Sequence, residues 1–256
     1  MSADLLRKIR AAAAPFGLNL IAAIPASRYD AAVGAAYRSA AFGKSFANRS
    51  IIVIANGGGD FWRAFVRWTG AHPGWTGRAN PLDDFTRRIV EDEMLPVIAA
   101  AGVHCVSVYP FMSGAPTLNF MELGKLAGIA GPSLLGVVVN PTYGPWIAFR
   151  AALIVDAVID APGDAHGFDP CPGCTARTCI PACPTRAVVY PTGWDVPRCL
   201  AFRVENEPRC APRCDARAAC VLGPEHRYPP DELEYHQRRA LAAMRLWYDA
   251  NLRPRS

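Results

Sequence analysis

The chain has 256 residues, 51% of them hydrophobic and 19% charged, with a formal net charge of +5. That length and apolar content can bury a core without staples, which argues against a small secreted disulfide scaffold. Arginines are interleaved with acids, as in Arg203-Val204-Glu205-Asn206-Glu207-Pro208-Arg209, not gathered in the stripe that polyanion binders carry, so a nucleic-acid partner is not expected.

Residues 2–14 predict a helix with Leu5, Leu6 and Ile9 on one face. Residues 11–27 are uncharged and follow Arg7, Lys8 and Arg10, as in a signal peptide, but Pro15, Gly17, Asn19 and Pro25 interrupt them. A strand over 18–24 explains that run better. Residues 29–41 are Ala-rich and predict a helix, and residues 50–55 predict a second strand. Gly57-Gly58-Gly59 lacks the Gly-Lys-Ser/Thr of a phosphate loop and reads as a turn.

Residues 80–101 carry a helical signature: Asn80 as cap, Pro81 in the first turn, Asp83 and Asp84 at the positive end. Pro96 predicts a kink or break within it. Residues 103–108 predict a strand in which Cys105 is a small core residue. Residues 120–127 predict a helix ended by Gly128, and strands over 137–139 and 147–155 bring the set to about five. Residues 126–149 lack charge, but Gly128, Gly131, Pro132, Gly136, Pro141, Gly144 and Pro145 forbid a continuous membrane helix. Strands and helices do not alternate strictly, which indicates an α+β fold with no membrane partner.

From residue 160 the composition changes. Ala161-Pro162-Gly163-Asp164 reads as a linker, and His166, in a near match to the D-x-H-x-x-G cobalamin motif that ends in Asp169 instead of Gly, reads as a solvated linker residue. Residues 231–251 predict an amphipathic helix with Leu233, Leu241, Met244, Leu246 and Trp247 available for packing.

Between the linker and that helix lie eight of the nine cysteines: Cys171, Cys174, Cys179, Cys183, Cys199, Cys210, Cys214 and Cys220. Eight thiolates are what two four-iron clusters require, and Cys183-Pro184 matches the Cys-Pro that closes the bacterial ferredoxin run. The first run here, C-x2-C-x4-C-x3-C-P, is two residues longer than that pattern. Zinc sites favour paired C-x2-C knuckles, and only one C-x2-C is present. In two-cluster ferredoxins the fourth cysteine of a run crosses to the other cluster. By that rule Cys171, Cys174, Cys179 and Cys220 hold one cluster, and Cys183, Cys199, Cys210 and Cys214 the other. Reduced thiols and clusters of this kind point to the cytoplasm.

Residues 118–156 read LNFMELGKLAGIAGPSLLGVVVNPTYGPWIAFRAALIVD. This block resembles the signature shared by epoxyqueuosine reductases, corrinoid reductive dehalogenases and cobalamin-processing proteins of the cblC type. The resemblance rests on Ala127-Gly128, Gly131 and the segment Tyr143-Gly144-Pro145-Trp146-Ile147-Ala148-Phe149-Arg150. It implies a flavin-nitroreductase-like front domain holding a base-off corrinoid, followed by a ferredoxin-like double-cluster module like that of the first two families. The implied domains are residues 1–160, 161–225 and a packing helix over 226–256. The implied corrinoid face is Gly128, Gly131, Tyr143, Gly144, Trp146 and Arg150, with Arg150 pairing a corrinoid amide or phosphate. A core role for Trp146 and Phe149, with Arg150 neutralising an acid, competes with it. Tyr109 and Glu122 are candidate proton donors.

The expected activity is a reductase passing electrons from two clusters to bound cobalamin, fed by a low-potential ferredoxin or flavodoxin system. The alternatives are a ferredoxin-like carrier without corrinoid, an FMN-dependent reductase, and an epoxyqueuosine reductase-like enzyme. Against the last, Ser113-Gly114-Ala115-Pro116 stands where those enzymes carry Asp-x-Ala-Pro, and a serine hydroxyl is no general acid near neutral pH. Gly131-Pro132-Ser133 replaces their Gly-Lys-Asn, and the chain is too short for their tRNA-binding helical repeats.

Overall fold

The computed structural model describes residues 2–43, 49–75, 77–112 and 114–251. Two compact units emerge: residues 1–131 with 147–168, and residues 132–146 with 169–256. Among the described residues no helix is long and apolar enough to cross a membrane.

The first unit is built on one antiparallel sheet of four strands in the order β1 (Leu20–Pro25), β2 (Ser50–Gly57), β4 (Ile147–Val155), β3 (Cys105–Val108). Every residue of β2 is buried, and so is β4 from Arg150 onward. That is why both read as unbroken apolar runs rather than alternating ones. Leu20 faces Ala55 across β1 and β2, and Ile51 faces Ile154 across β2 and β4, with a bulge at Ile54/Ala55.

Helices α1 (Ser2–Ala13), α2 (Ala26–Ala32), α3 (Asp60–Ala71), α4 (Pro81–Ile89), α5 (Leu95–Ala100) and α6 (Phe120–Leu126) complete the unit. Leu5, Leu6, Ile9 and Ala13 bury one face of α1, as their spacing predicts. The Ala-rich helix expected over 29–41 is a correction. It stops at Ala32, and short 3-10 turns follow because Gly34 is extended and favours no helical continuation. The break expected at Pro96 is spread over a π turn, Val90–Met94, between α4 and α5. A proline cannot donate to the carbonyl one turn back, and a wider turn absorbs the loss. Helix α3 was not among the elements expected from the sequence. Its signal was present: Asp60 at the first turn and Phe61, Ala64 and Phe65 buried at helical spacing.

The strand expected over 137–139 is the second correction: the segment is a loop of the second unit. Gly136 there has φ +72 and lies against the Trp194 ring, leaving no room for a side chain. Four sheet strands therefore replace the five expected. The second unit carries a small hairpin, β5 (Val188–Val189) with β6 (Gly193–Trp194), and helices α7 (Cys179–Ala182), α8 (Val196–Glu205), α9 (Glu207–Cys210), α10 (Asp215–Ala218) and α11 (Pro230–Asn251). Buried Arg203 ties α8 to α11, donating to the Gln237 backbone carbonyl and Oε1, each at 3.0 Å. Leu241 of α11 is buried, but Leu246 is 75% and Trp247 46% exposed, so the distal part of the tail does not pack as its pattern suggests.

Gly131 has no space for a Cβ, which would collide with the backbone carbonyl of Phe168. Gly131→Ala should therefore lower stability by about 2 kcal/mol. Urea denaturation checks this, and an unchanged midpoint would show that this packing is not what requires glycine.

Candidate iron–sulfur site

All eight cysteines of the second unit are free thiols, and Cys183 is buried. Five of them pack in one small apolar cluster. Cys183 joins Leu134, Ala187, Val188 and Ala216, with Cys171, Cys179, Cys199 and Cys214 packed against them. Burial pushes the thiols of Cys171, Cys179, Cys199, Cys210, Cys214 and Cys220 up, because a thiolate there would lose its hydration.

Like-charge repulsion identifies which thiols are neighbours. Cys179 is opposed by Cys220, Cys171 and Cys174, and Cys220 by Cys171 and Cys174. In a second set, Cys199 is opposed by Cys214 and Cys183, Cys210 by Cys199 and Cys214, and Cys214 by Cys183. Every named partner falls within one of the two quartets expected from the ferredoxin rule.

Cys171, Cys174, Cys179 and Cys220 line a cavity of 290 Å³, whose other walls include Leu134, Val139 and Leu222. Among the described residues no three His, Cys, Asp or Glu side chains are gathered to hold one metal ion. A single zinc would draw its thiolates to about 2.3 Å from one point. The first quartet instead lines a space larger than one metal ion needs.

Donors to sulfur are already in place. The Ala187 N–H reaches Cys183 Sγ at 3.3 Å. Backbone N–H groups of Leu134, Arg217 and Leu222 stabilise the thiolates of Cys171, Cys214 and Cys220, and the Trp194 side chain does so for Cys199. Such bonds tune cluster potential.

The signature-block residues are held firmly within their own units. Gly128 (φ +69) meets the Gly163 backbone, and Gly131 meets Phe168. Gly144 (φ +55) lies against the Leu222 carbonyl and pairs with Asn140 through two 2.9 Å backbone bonds. Half-buried Tyr143 donates its N–H to Asn140 Oδ1 at 3.0 Å, and its ring lies 4.6 Å from His226. Trp146 is fully buried, edge-on to Tyr228 at 5.5 Å, with the Arg217 guanidinium 4.8 Å above it. Arg217 also donates to the Pro145 carbonyl at 2.6 and 3.1 Å. In the first unit, buried Arg150 donates from Nε to Asn56 Oδ1 at 2.7 Å and lies 4.3 Å over the Phe61 ring.

The structure does not bring the two candidate proton donors into a common arrangement. Tyr109 is buried beside Phe111, and burial pushes its phenol up to about 12, so at neutral pH it keeps its proton. Glu122 lies in the first turn of α6, ion-paired to Lys125 at 2.5 Å. Ser113 lies outside the described residues. His166 faces Arg28 at 3.4 Å.

No family model matches the chain. In sequence it is similar to the epoxyqueuosine reductase of Shewanella oneidensis, 30% identical over 111 residues, which is 43% of this chain and 27% of that protein. It is also similar to the Escherichia coli epoxyqueuosine reductase, 34% identical over 101 residues, 39% and 25% of the two chains. The match thus spans about a quarter of the length of these curated relatives.

In structure the chain is similar to epoxyqueuosine reductase from Streptococcus thermophilus, with a TM-score of 0.60 at 16% identity over 90% of this chain and 68% of that one. It is similar to the B12-trafficking protein CblC of C. elegans, with a TM-score of 0.56 at 16% identity over 99% and 100%. A further neighbour, at 0.56 and 16% over 91% and 69%, is an epoxyqueuosine reductase solved with a tRNA-Tyr epoxyqueuosine-modified stem loop. The fold is the mixed α+β fold of these proteins. The resemblance to the cblC-type and epoxyqueuosine reductase-like proteins, stated above from the signature block, is borne out.

One expectation is overturned. Nucleic acid was excluded on charge, yet a protein of this fold is solved with a tRNA stem loop. Net charge averages over a surface and does not rule out a local binding patch. The FMN alternative finds no support among these relatives.

The ninth cysteine behaves differently from the quartets. Burial in β3 pushes Cys105 up to about 12. Only the thiolate attacks alkylating reagents, so at pH 8 roughly one Cys105 in ten thousand is reactive. Native-state labelling with iodoacetamide should spare Cys105, with its rate rising about tenfold per pH unit through pH 9. Rapid labelling at pH 8 would contradict its burial.

Proposed function

We propose that this chain is an iron–sulfur and corrinoid-dependent reductase that acts, like the epoxyqueuosine reductases it resembles, on a tRNA-borne substrate. The observation that carries the reading is the grouping of eight free thiols, one buried and seven half-buried, into two quartets of neighbours, the first of them around a shared cavity. Cys171, Cys174, Cys179 and Cys220 would hold one four-iron cluster, and Cys183, Cys199, Cys210 and Cys214 the other. Four-iron clusters reach down to about −700 mV, the range a corrinoid reductase needs. On this reading residues 1–160 form a flavin-nitroreductase-like corrinoid domain, 161–225 a ferredoxin-like module and 226–256 a packing helix. The electron source is a low-potential ferredoxin or flavodoxin system.

A bound corrinoid would supply a strongly reducing cobalt. Gly128, Gly131 and Gly144 let backbones meet where a side chain would part them. Trp146 and Arg150 hold the two ends of the signature segment by packing and a hydrogen bond. In the first unit Gly128, Gly131 and Arg150 would therefore support a corrinoid's seat from behind, and in the second Gly144 and Trp146 would hold half-buried Tyr143 in place.

A second reading, cobalamin processing of the cblC kind, is favoured by one fact: the CblC match spans nearly all of both chains. The two readings part on product. Anaerobically purified protein, with cob(II)alamin and a low-potential donor, should convert an epoxyqueuosine-bearing tRNA stem loop to queuosine. If it dealkylates or decyanates cobalamin and leaves the stem loop untouched, the second reading replaces the first.

The cluster assignment is tested separately. Iron and sulfide should each be about eight per chain, and Cys220→Ala should lower both to about four. An unchanged iron content in Cys220→Ala would remove it from the ligand set.

A further inference from the structure

The mechanism leaves unused a group of aromatic rings and guanidinium groups at one end of α3 and α4 in the first unit. Phe61, Phe65 and Phe85 form its buried floor, with ring centroids 5.7 Å apart in two pairs. From there the rings continue outward. Trp68 stacks on exposed His72 at 3.8 Å and 15°, and meets Trp75 edge-on at 5.6 Å. The Arg88 guanidinium lies 3.9 Å over Trp68, and that of exposed Arg78 lies 4.0 Å over Trp75.

The indole of Trp75 is anchored from behind by its Nε1–H bond to the Pro81 carbonyl, 3.1 Å long. Its orientation is thus fixed while the residues around it (His72, Gly74, Gly77 and Arg78) are exposed. Residues 60–88 carry five arginines (63, 67, 78, 87 and 88) against three aspartates (60, 83 and 84). Arg67 makes no ion pair among the described residues. With Arg10, Asn19 and Asp60 it lines a cavity of 410 Å³, roomy enough for a phosphate.

Half-buried Trp75 bears the guanidinium plane of Arg78, which meets Asp84 through one nitrogen, and Arg88 on half-buried Trp68 likewise meets Asp92 and Glu93. Arg67, with no such acid partner among the described residues, lines the cavity from the same helix as Trp68. Bases stack on aromatic and guanidinium planes whatever their identity, and arginine grips the phosphates between them. We propose that this face binds the unpaired loop of an RNA stem loop, with a base stacked at His72, Trp75 and Arg78 and a backbone phosphate held by Arg67 and Arg10. The proposal rests on the tRNA reading above and gives it a surface.

The test is fluorescence anisotropy with the full chain, a labelled tRNA anticodon stem loop and a blunt RNA duplex of equal length. Trp75→Ala and Arg67→Glu should each weaken stem-loop binding about tenfold while changing duplex binding little. Trp247→Ala, at an exposed position on α11, should leave it unchanged. Near-UV circular dichroism verifies folding, and exposed Arg67→Glu serves even if Trp75→Ala unfolds. Wild-type stem-loop binding unaffected by both substitutions would overturn this surface and leave the tRNA reading intact. Equal losses for stem loop and duplex would reduce the face to nonspecific electrostatics and overturn the stacking. No wild-type binding of the stem loop would overturn both the surface and the tRNA reading.

Discussion

The second unit depends on one constraint: its candidate ligands pack together around one of its own small apolar clusters. Around Cys183 stand only Leu134, Ala187, Val188 and Ala216 as buried apolar residues, and the helices nearby are mostly single turns. Such a cluster removes little apolar surface from water, and burial makes thiols such as Cys199 and Cys214 harder to ionise. Ligation reverses that balance, because a metal–thiolate bond favours the deprotonated form and binding free energy becomes folding free energy. The N–H groups aimed at Cys171, Cys214 and Cys220 fit the same logic, since they stabilise negative sulfur.

The first unit is organised on the opposite principle. Its central strands are buried along nearly their whole length, and buried Arg150 on the sheet donates from Nε to Asn56 and lies over the face of Phe61. The chain leaves this unit after Gly131 and returns to it at Ile147. The signature block is therefore divided: Gly128, Gly131 and Arg150 serve the sheet unit, while Tyr143, Gly144 and Trp146 serve the thiol unit. In Asn140, one side-chain oxygen accepts from both Thr142 and Tyr143 and folds this connection into a turn. A motif continuous in sequence is, in three dimensions, divided between two units.

What the sequence made legible follows from how local each signal is. Cysteine count, one Cys-Pro pair and a chemical rule are enough to propose the quartets, because ligand identity constrains topology whatever the loop lengths. The apolar runs at 18–24, 50–55 and 147–155 announced strands because burial on both faces leaves no polar alternation to confuse them. Val137-Val138-Val139 had the same composition and failed as a strand, since Gly136 must sit on Trp194 of the same unit, a contact far away in sequence. Helix α3 was hidden by its aromatic residues, which favour strands locally and are overruled by packing on Phe85. The role of Trp146 was beyond reach for a similar reason: its partners, Arg217 and Tyr228, lie more than seventy residues away.

Charge was the least legible property, and the reason is geometric. Interleaved arginines and acids were taken as a solvated, mixed surface, and several of those pairs do form, as in Arg63–Asp60 and Arg78–Asp84. A surface ion pair is weak, however, and occupies only part of a guanidinium's donors. Arg78 keeps its plane on Trp75 while one nitrogen faces Asp84 at 3.2 Å. The stacked plane fixes where the charge sits, and the remaining N–H groups stay available to a partner. Ion-pair counts and net charge record such an arginine as neutralised. Its stacking geometry shows it as preorganised, and for recognition that is the property with the greater effect.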